Sequence, residues 1–233
     1  MPVSVVIGGM RGIGSVIVKH LIKRGDEVYT VSRSNCKSKN HIVCDISLDC
    51  RPISNSIKNI DYLIFAHRYR GSDWNEMFDV TVQGVNNVIQ AVSNRFGKES
   101  SVVIISSNAS QFVLDEQSAE YHSSRAALDG LMRYYAVTYG GQKVRFNSIL
   151  PSTLVKPENT TFFTKHNRIR EMIENITPLG RMGKSQDIAN LVDFLCSYKS
   201  SFITGNSFMV DGGMSLVGQE SIARELLGCQ HKK

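Results

Sequence analysis

The chain has 233 residues, with 27 Lys and Arg against 21 Asp and Glu, a formal charge of +6 and 42% hydrophobic residues. That length can bury a substantial core in one α/β domain, and no apolar run approaches a membrane span. The basic residues are dispersed rather than striped with aromatics, which argues against a nucleic-acid face.

Val3-Ser-Val-Val-Ile7 is short, apolar and mostly β-branched, the signature of a buried parallel strand. It runs into Gly8-Gly-Met-Arg-Gly-Ile-Gly14, and Ser15–Arg24 then reads as a helix with Val18, Leu21 and Ile22 at helical spacing and Gly25 as its stop. Strand, glycine turn and helix are the first half of a βαβ unit. The spacing Gly8-x-x-x-Gly12-x-Gly14 is close to a dinucleotide fingerprint, in which backbone N–H groups and a helix N-terminus approach a pyrophosphate. A tight turn without a ligand is the alternative.

Glu27–Val31 is the second strand, followed by Ser32-Arg33. A dinucleotide site commonly has a carboxylate about 20 residues beyond the glycines for the ribose hydroxyls. Here Ser32 takes that position, with Arg33 beside it and Arg11 inside the glycine turn. A guanidinium grips a 2′-phosphate that a carboxylate would repel, so the expected cofactor is NADP(H). Lys37 and Lys39 add to the same positive cluster.

His41–Cys44 is a third strand, and Asp45-Ile46 after it either meets an adenine or caps the next turn. Residues 47–60 are polar, with room for one stunted helix. Tyr62–Ala66 is the fourth strand, and Asp73–Val92 reads as a long helix with Val80, Gly84, Val85, Val88 and Val92 on its buried face. Ser101–Ile105 is the fifth strand, Tyr121–Tyr139 a second long helix and Val144–Leu150 the sixth strand. Residues 152–178 form an irregular or partly helical excursion, and 154–177 are expected to serve as a substrate lid, carrying Lys156, Lys165, His166, Arg168 and Arg170. Asp187–Ser197 is a helix and Phe208–Val210 a seventh strand. The expected fold is one doubly wound, Rossmann-type α/β domain over residues 1–233, with a seven-stranded parallel sheet flanked by helices. Residues 214–233 form an extension whose stripe of Ile222, Ala223, Leu226 and Leu227 suits a neighbouring subunit or the mouth of the site.

Ligands in such sheets sit beyond the carboxyl ends of the strands. Ser107 lies there, and Tyr121 and Arg125 share a face of the next helix. A tyrosine whose pKa is lowered by a cation can exchange a proton with a carbonyl or alcohol. A serine hydroxyl can polarise the same oxygen while a nicotinamide exchanges hydride with the carbon.

With these pieces in place the chain resembles the short-chain dehydrogenase/reductase family. The motifs that carry the resemblance are Gly8-x-x-x-Gly12-Ile13-Gly14, Asp45-Ile46, Ser106-Ser107, Tyr121-x-x-x-Arg125, Arg145-Phe-Asn147 with Pro151, Pro178–Gly183, Ile203-Thr-Gly205 and Val210–Gly213. The resemblance implies catalytic Ser107, Tyr121 and Arg125. It places the cofactor on Gly8, Arg11, Gly12, Ile13, Gly14, Ser32, Arg33, Asp45, Ile46 and Ala66, together with Tyr121 and Arg125. It also implies sheet-edge support by Asn147 and a homo-oligomer, dimer or tetramer, with contacts from Ile203-Thr-Gly205 and the last strand.

Three departures surround the reaction centre. Arg125 stands where the family has lysine, Thr81 where it has asparagine, and Phe65-Ala66-His67-Arg68 where it has Asn-Asn-Ala-Gly. Arginine keeps the charge but cannot surrender its proton to a relay. The leading expectation is an NADP(H)-dependent oxidoreductase interconverting a carbonyl and a secondary alcohol on a small molecule. The alternatives are a cofactor-binding member without redox turnover, serving as sensor or partner subunit, and a non-redox lyase or isomerase acting on an anionic substrate through His67, Arg68 and Arg125. The five cysteines form no C-x-x-C pair and no histidine has a partner at metal-ligand spacing. We therefore expect reduced thiols, no metal and, with no basic leader before the first strand, a cytoplasmic protein.

Overall fold

The computed structural model describes residues 1–165 and 167–229; His166 of the expected lid and the last four residues of the C-terminal extension lie outside the described residues. In chain order the first elements are β1 (Val3–Ile7), α1 (Gly12–Arg24), β2 (Glu27–Ser32), β3 (His41–Val43), α2 (Arg51–Ser56) and β4 (Ile60–Phe65). Next come α3 (Trp74–Phe78), a π-helical segment (Asp79–Gln83), α4 (Gly84–Val92), β5 (Phe96–Ile105), α5 (Ala119–Gly140) and β6 (Arg145–Pro151). The remainder is β7 (Leu154–Val155), α6 (Thr160–Thr164), α7 (Arg168–Ile176), β8 (Gly183–Lys184), α8 (Ser185–Leu195), β9 (Ser207–Val210) and α9 (Gln219–Leu226).

Seven parallel strands form the sheet in the order β3-β2-β1-β4-β5-β6-β9, and β7 pairs with β8 apart from it. The chain winds outward from β1 to β3, returns to the other side of β1 with β4, and winds outward again. The turn after β1 and the loop after β4 therefore leave the sheet side by side at a topological switch point, where α/β sheets bind their ligands.

Alternation along each strand sends side chains to opposite faces. Val5 and Ile7 join one core cluster with Leu63, Val88, Met132 and Phe146. Val6 joins the other with Ile17, Leu21, Ile64, Ile188 and Val192. Two buried faces explain why the strands read as continuous apolar runs.

The first helix differs from its expected form. It starts at Gly12, and its buried residues are Gly12, Gly14, Ile17 and Leu21, whereas Ile22 is exposed. The three-and-four spacing from Gly14 through Ile17 to Leu21 faces the sheet and turns Ile22 away from it. The expected helix over Asp73–Val92 is present, opened by the Asp73 carboxylate accepting from the Glu76 N–H at 2.8 Å and widened by the π-helical segment. The excursion after β6 is mostly helical, through α6 and α7.

Asn147 ties the sheet edge: its Nδ2 donates to Ile203 O at 3.0 Å and its Oδ1 accepts from Asn206 N at 3.2 Å. Among the described residues no helix is long and apolar enough to cross a membrane. The five cysteines are free.

Candidate active site

A cleft of about 520 Å³ opens at the switch point. Of the residues singled out from sequence, Gly8, Arg11, Gly12, Ile13, Ser32, Arg33, Ala66, Ser107, Tyr121 and Arg125 line it. Gly14, Asp45, Ile46 and Thr81 are not among its lining residues.

The glycine turn is shaped by close backbone contacts. Gly8 has φ of +81°, and a Cβ there would lie 2.6 Å from the backbone of His67. A Cβ on Gly14 would lie 2.2 Å from Gly8 O, so Gly14 closes the turn on itself rather than facing the cleft. The helix that follows has Arg11 at its N-cap without any side-chain cap, which leaves N-terminal N–H groups to attract negative charge. Against this turn lies a carboxylate: a Cβ on Gly12 would be 2.7 Å from Glu158 Oε1. An uncapped helix start with an anionic oxygen set against it fits a dinucleotide pyrophosphate.

At the end of the cleft beside β2, Arg33 is exposed and lines it. The Ser32 hydroxyl donates to Ser34 O at 3.0 Å. Asp45 accepts from the Ser47 N–H at 3.1 Å and from its hydroxyl at 2.6 Å, holding the turn after β3. Ile46 packs against the start of α4, where a Cβ on Gly84 would lie 2.8 Å from its side chain.

At the other end, β5 delivers Ser107 and α5 delivers Tyr121 and Arg125. The Arg125 guanidinium carbon lies 4.9 Å from the Tyr121 ring centroid, and that of Arg68 lies 5.1 Å from it. Arg125 is 3% exposed and its Nε is buried without a partner. Burial pulls the Tyr121 phenol pKa upward, but Arg125, hydrogen bonding with Ser107, Arg68 and Lys156 together bring it below the usual tyrosine value. The Ser107 Oγ also accepts from Ala109 N at 3.2 Å, which fixes the side chain. Burial and the neighbouring Arg68 lower the Arg125 pKa, while Tyr121 raises it.

Two residues take positions that the sequence pattern did not supply. His67 Nε2 lies 3.0 Å from Val80 O in the π-helical segment. A carbonyl only accepts, so Nε2 carries the proton and the buried, unpartnered Nδ1 keeps a lone pair. Burial, then Arg125, pushes the His67 pKa down to about 4, so the ring is neutral at pH 7. Lys156, one of the expected lid cations, reaches the cleft half-buried; burial and then Arg68 lower its pKa. Thr81 turns elsewhere: it is 1% exposed and its hydroxyl donates to Met77 Sδ at 3.7 Å.

A parallel α/β sheet with an anion-seeking glycine turn at one end of a cleft and a Ser–Tyr–cation group at the other defines a class, the nicotinamide-dependent dehydrogenases and reductases. Comparison with known proteins narrows it. Residues 63–215 match the family model described as enoyl-(acyl carrier protein) reductase. A tropinone reductase homolog of Arabidopsis thaliana is 23% identical over 92% of this chain and 91% of its own. A 3-oxoacyl-(acyl-carrier-protein) reductase of Rickettsia typhi is 28% identical over 92% of this chain and 97% of its own. The ligand-free aldohexose dehydrogenase of Thermoplasma acidophilum superposes with a TM-score of 0.82 at 24% identity, covering 94% of this chain and 95% of that one. The chain belongs to the short-chain dehydrogenase/reductase family, the carbonyl–alcohol oxidoreductases.

Proposed function

We propose that this protein is an NADP(H)-dependent oxidoreductase that interconverts a carbonyl and a secondary alcohol on a small molecule. The observation that carries the reading is the Tyr121 phenol, held below its usual pKa between Arg125 and Ser107. In the reducing direction Tyr121 gives its phenolic proton to the substrate oxygen, and in the oxidising direction it takes that proton back. Ser107 donates a hydrogen bond to the same oxygen as charge develops on it. Arg125 holds the phenolate form through its fixed charge and takes no proton itself.

The N–H groups at the start of α1, with Gly8, Gly12, Ile13 and Gly14 shaping the turn, would hold the pyrophosphate. Arg11 and Arg33 would hold the 2′-phosphate beside Ser32, and Asp45, Ile46 and Ala66 would flank the adenosine and nicotinamide ends. A bound nicotinamide supplies or accepts the hydride. In this reading residues 1–233 are one cofactor-binding domain, 154–177 close over the substrate, and 214–233 extend it toward a neighbouring copy in a cytoplasmic homodimer or homotetramer. The packing of α9 against α7 supports reading the two segments together.

The experiment is to mix the protein with NADPH and a panel of carbonyl compounds and follow cofactor absorbance. Turnover on at least one carbonyl, lost in Tyr121→Phe with cofactor binding intact, is the expected result. Cofactor binding with no turnover across the panel, unchanged by Tyr121→Phe, overturns it in favour of a binding protein.

A further inference from the structure

The reacting end of the cleft holds more positive charge than proton transfer requires. One fixed cation, Arg125, is enough to hold a phenol low. Yet Arg68 lies across the same ring and Lys156 acts on the same phenol from the lid side. Among the described residues none of the three is in an ion pair with a carboxylate. Arg68 Nη2 donates to the Gln117 side-chain oxygen at 3.3 Å, a neutral partner. The charge of Glu158 acts on Lys156, but its carboxylate is set against Gly12 and its ion pair is with Arg70 at 3.7 Å.

Arg125 is buried and Lys156 half-buried, while Arg68 is exposed at the rim beside them. Holding the two sheltered cations with no carboxylate on either is costly unless an anion arrives to meet them. The cofactor phosphates do not fill that need. Their cations, Arg11 and Arg33, belong to the glycine turn and the end of β2, whereas Arg68 and Lys156 flank Tyr121. Ser106, Ser107 and Ser152 line the cleft together with apolar Ile105, Pro151 and Leu154, so the cations rather than the lining as a whole single out an anion.

We propose that the substrate is an anionic oxo compound, its carbonyl at Tyr121 and Ser107 and its carboxylate or phosphate held by Arg68 and Lys156. Arg68 supplies a planar fork for two oxygens and Lys156 a movable point charge. The inference rests on the oxidoreductase reading for the placement of the carbonyl, and on the cation geometry alone for the anion.

The test uses matched pairs and a binding readout. Steady-state kinetics with NADPH compare acetoacetate with acetoacetamide, and dihydroxyacetone phosphate with dihydroxyacetone. Calorimetry titrates malonate, which offers no reducible ketone, into the protein with and without saturating NADPH. The expected result is kcat/KM at least about tenfold higher for one charged member, as charge-assisted hydrogen bonds give. The pair that responds tells carboxylate from phosphate. Malonate should bind alongside NADPH, and Arg68→Gln and Lys156→Met, made singly and together, should weaken it by a similar factor and bring the kinetic ratio toward one. Circular dichroism checks that each variant is folded.

Uncharged members turned over as well as their charged partners, with no malonate binding, would overturn the inference and leave the oxidoreductase reading standing. Malonate that displaces NADPH would also overturn it, because the cations would then serve the cofactor. Malonate bound through Arg68 and Lys156, with no carbonyl reduced, would instead uphold the anion site and remove the oxidoreductase reading.

Discussion

Replacing Glu158 by glutamine should tighten NADPH binding, and the structure sets the size of the effect. The Glu158 carboxylate faces the turn where a dinucleotide would place its pyrophosphate, 2.7 Å from the position of a Cβ on Gly12. A cofactor must displace it or sit beside it. Two unit charges at about 4 Å repel by about 1 kcal/mol in water-like surroundings. The aqueous figure is the right one because the Glu158 side chain is 39% exposed. Its pair with Arg70 at 3.7 Å offsets little, since the Arg70 side chain is 70% exposed. Glutamine keeps the shape and loses the charge, so Glu158→Gln should lower the NADPH Kd roughly fivefold. Fluorescence titration of NADPH at low and high ionic strength measures it, and the gain should shrink as salt screens the repulsion. An unchanged or higher Kd in the variant, or a gain indifferent to salt, refutes the reasoning.

Arg33→Asp should reverse the cofactor preference, lowering the NADPH-to-NADH ratio of kcat/KM by about tenfold or more; an unchanged ratio would remove Arg33 from the 2′-phosphate site. Thr81→Val should leave kcat within about a factor of two, because its hydroxyl meets only Met77 Sδ and acid–base partners typically cost far more when removed. Asp26→Ala should destabilise the fold. The Asp26 side chain is 1% exposed, and its carboxylate accepts from Ser4 Oγ and from Arg24 Nε at 2.9 Å. Losing one partner of such a pair costs about 3 kcal/mol, which thermal denaturation would show as a fall in Tm of roughly 6–12 °C for a chain of this size.

The sheet was readable because parallel strands bury both faces. Val5-Val6-Ile7 and Val102–Ile105 admit little else than apolar residues, and all of them are buried. The glycine turn was readable for a related reason: backbone stands where a side chain would begin, that of His67 at Gly8 and that of the turn itself at Gly14. Tyr121 and Arg125 were legible as a helical four-residue pair, and the ring–guanidinium contact follows from that spacing.

The misses are of two physical kinds. Ile22 fits the apolar period of a helix starting at Ser15, but the helix starts at Gly12 and the sheet-facing row is Gly14, Ile17 and Leu21. Thr81 stands where the family has asparagine; the π-helical segment that holds it, and the turn of its hydroxyl back along the helix to Met77, had no signal in the sequence. Glu158 belongs to the second kind. It meets a turn at the opposite end of the chain, a contact with no local spacing to announce it. His67 and Arg68 carried a visible signal, a bulky basic pair directly after β4, but their partners Val80 O and the Tyr121 ring emerge only when the loops meet.

The central claim is that a fixed cation keeps one phenol unusually acidic. Ultraviolet titration of tyrosinate absorbance tests it directly, comparing the wild type with Tyr121→Phe and Arg125→Met. The account predicts one ionisation below the ordinary value of 10.0 in the wild type, absent from Tyr121→Phe and moved upward in Arg125→Met. A Tyr121-dependent step at or above the ordinary value, or one that Arg125→Met leaves in place, would contradict it.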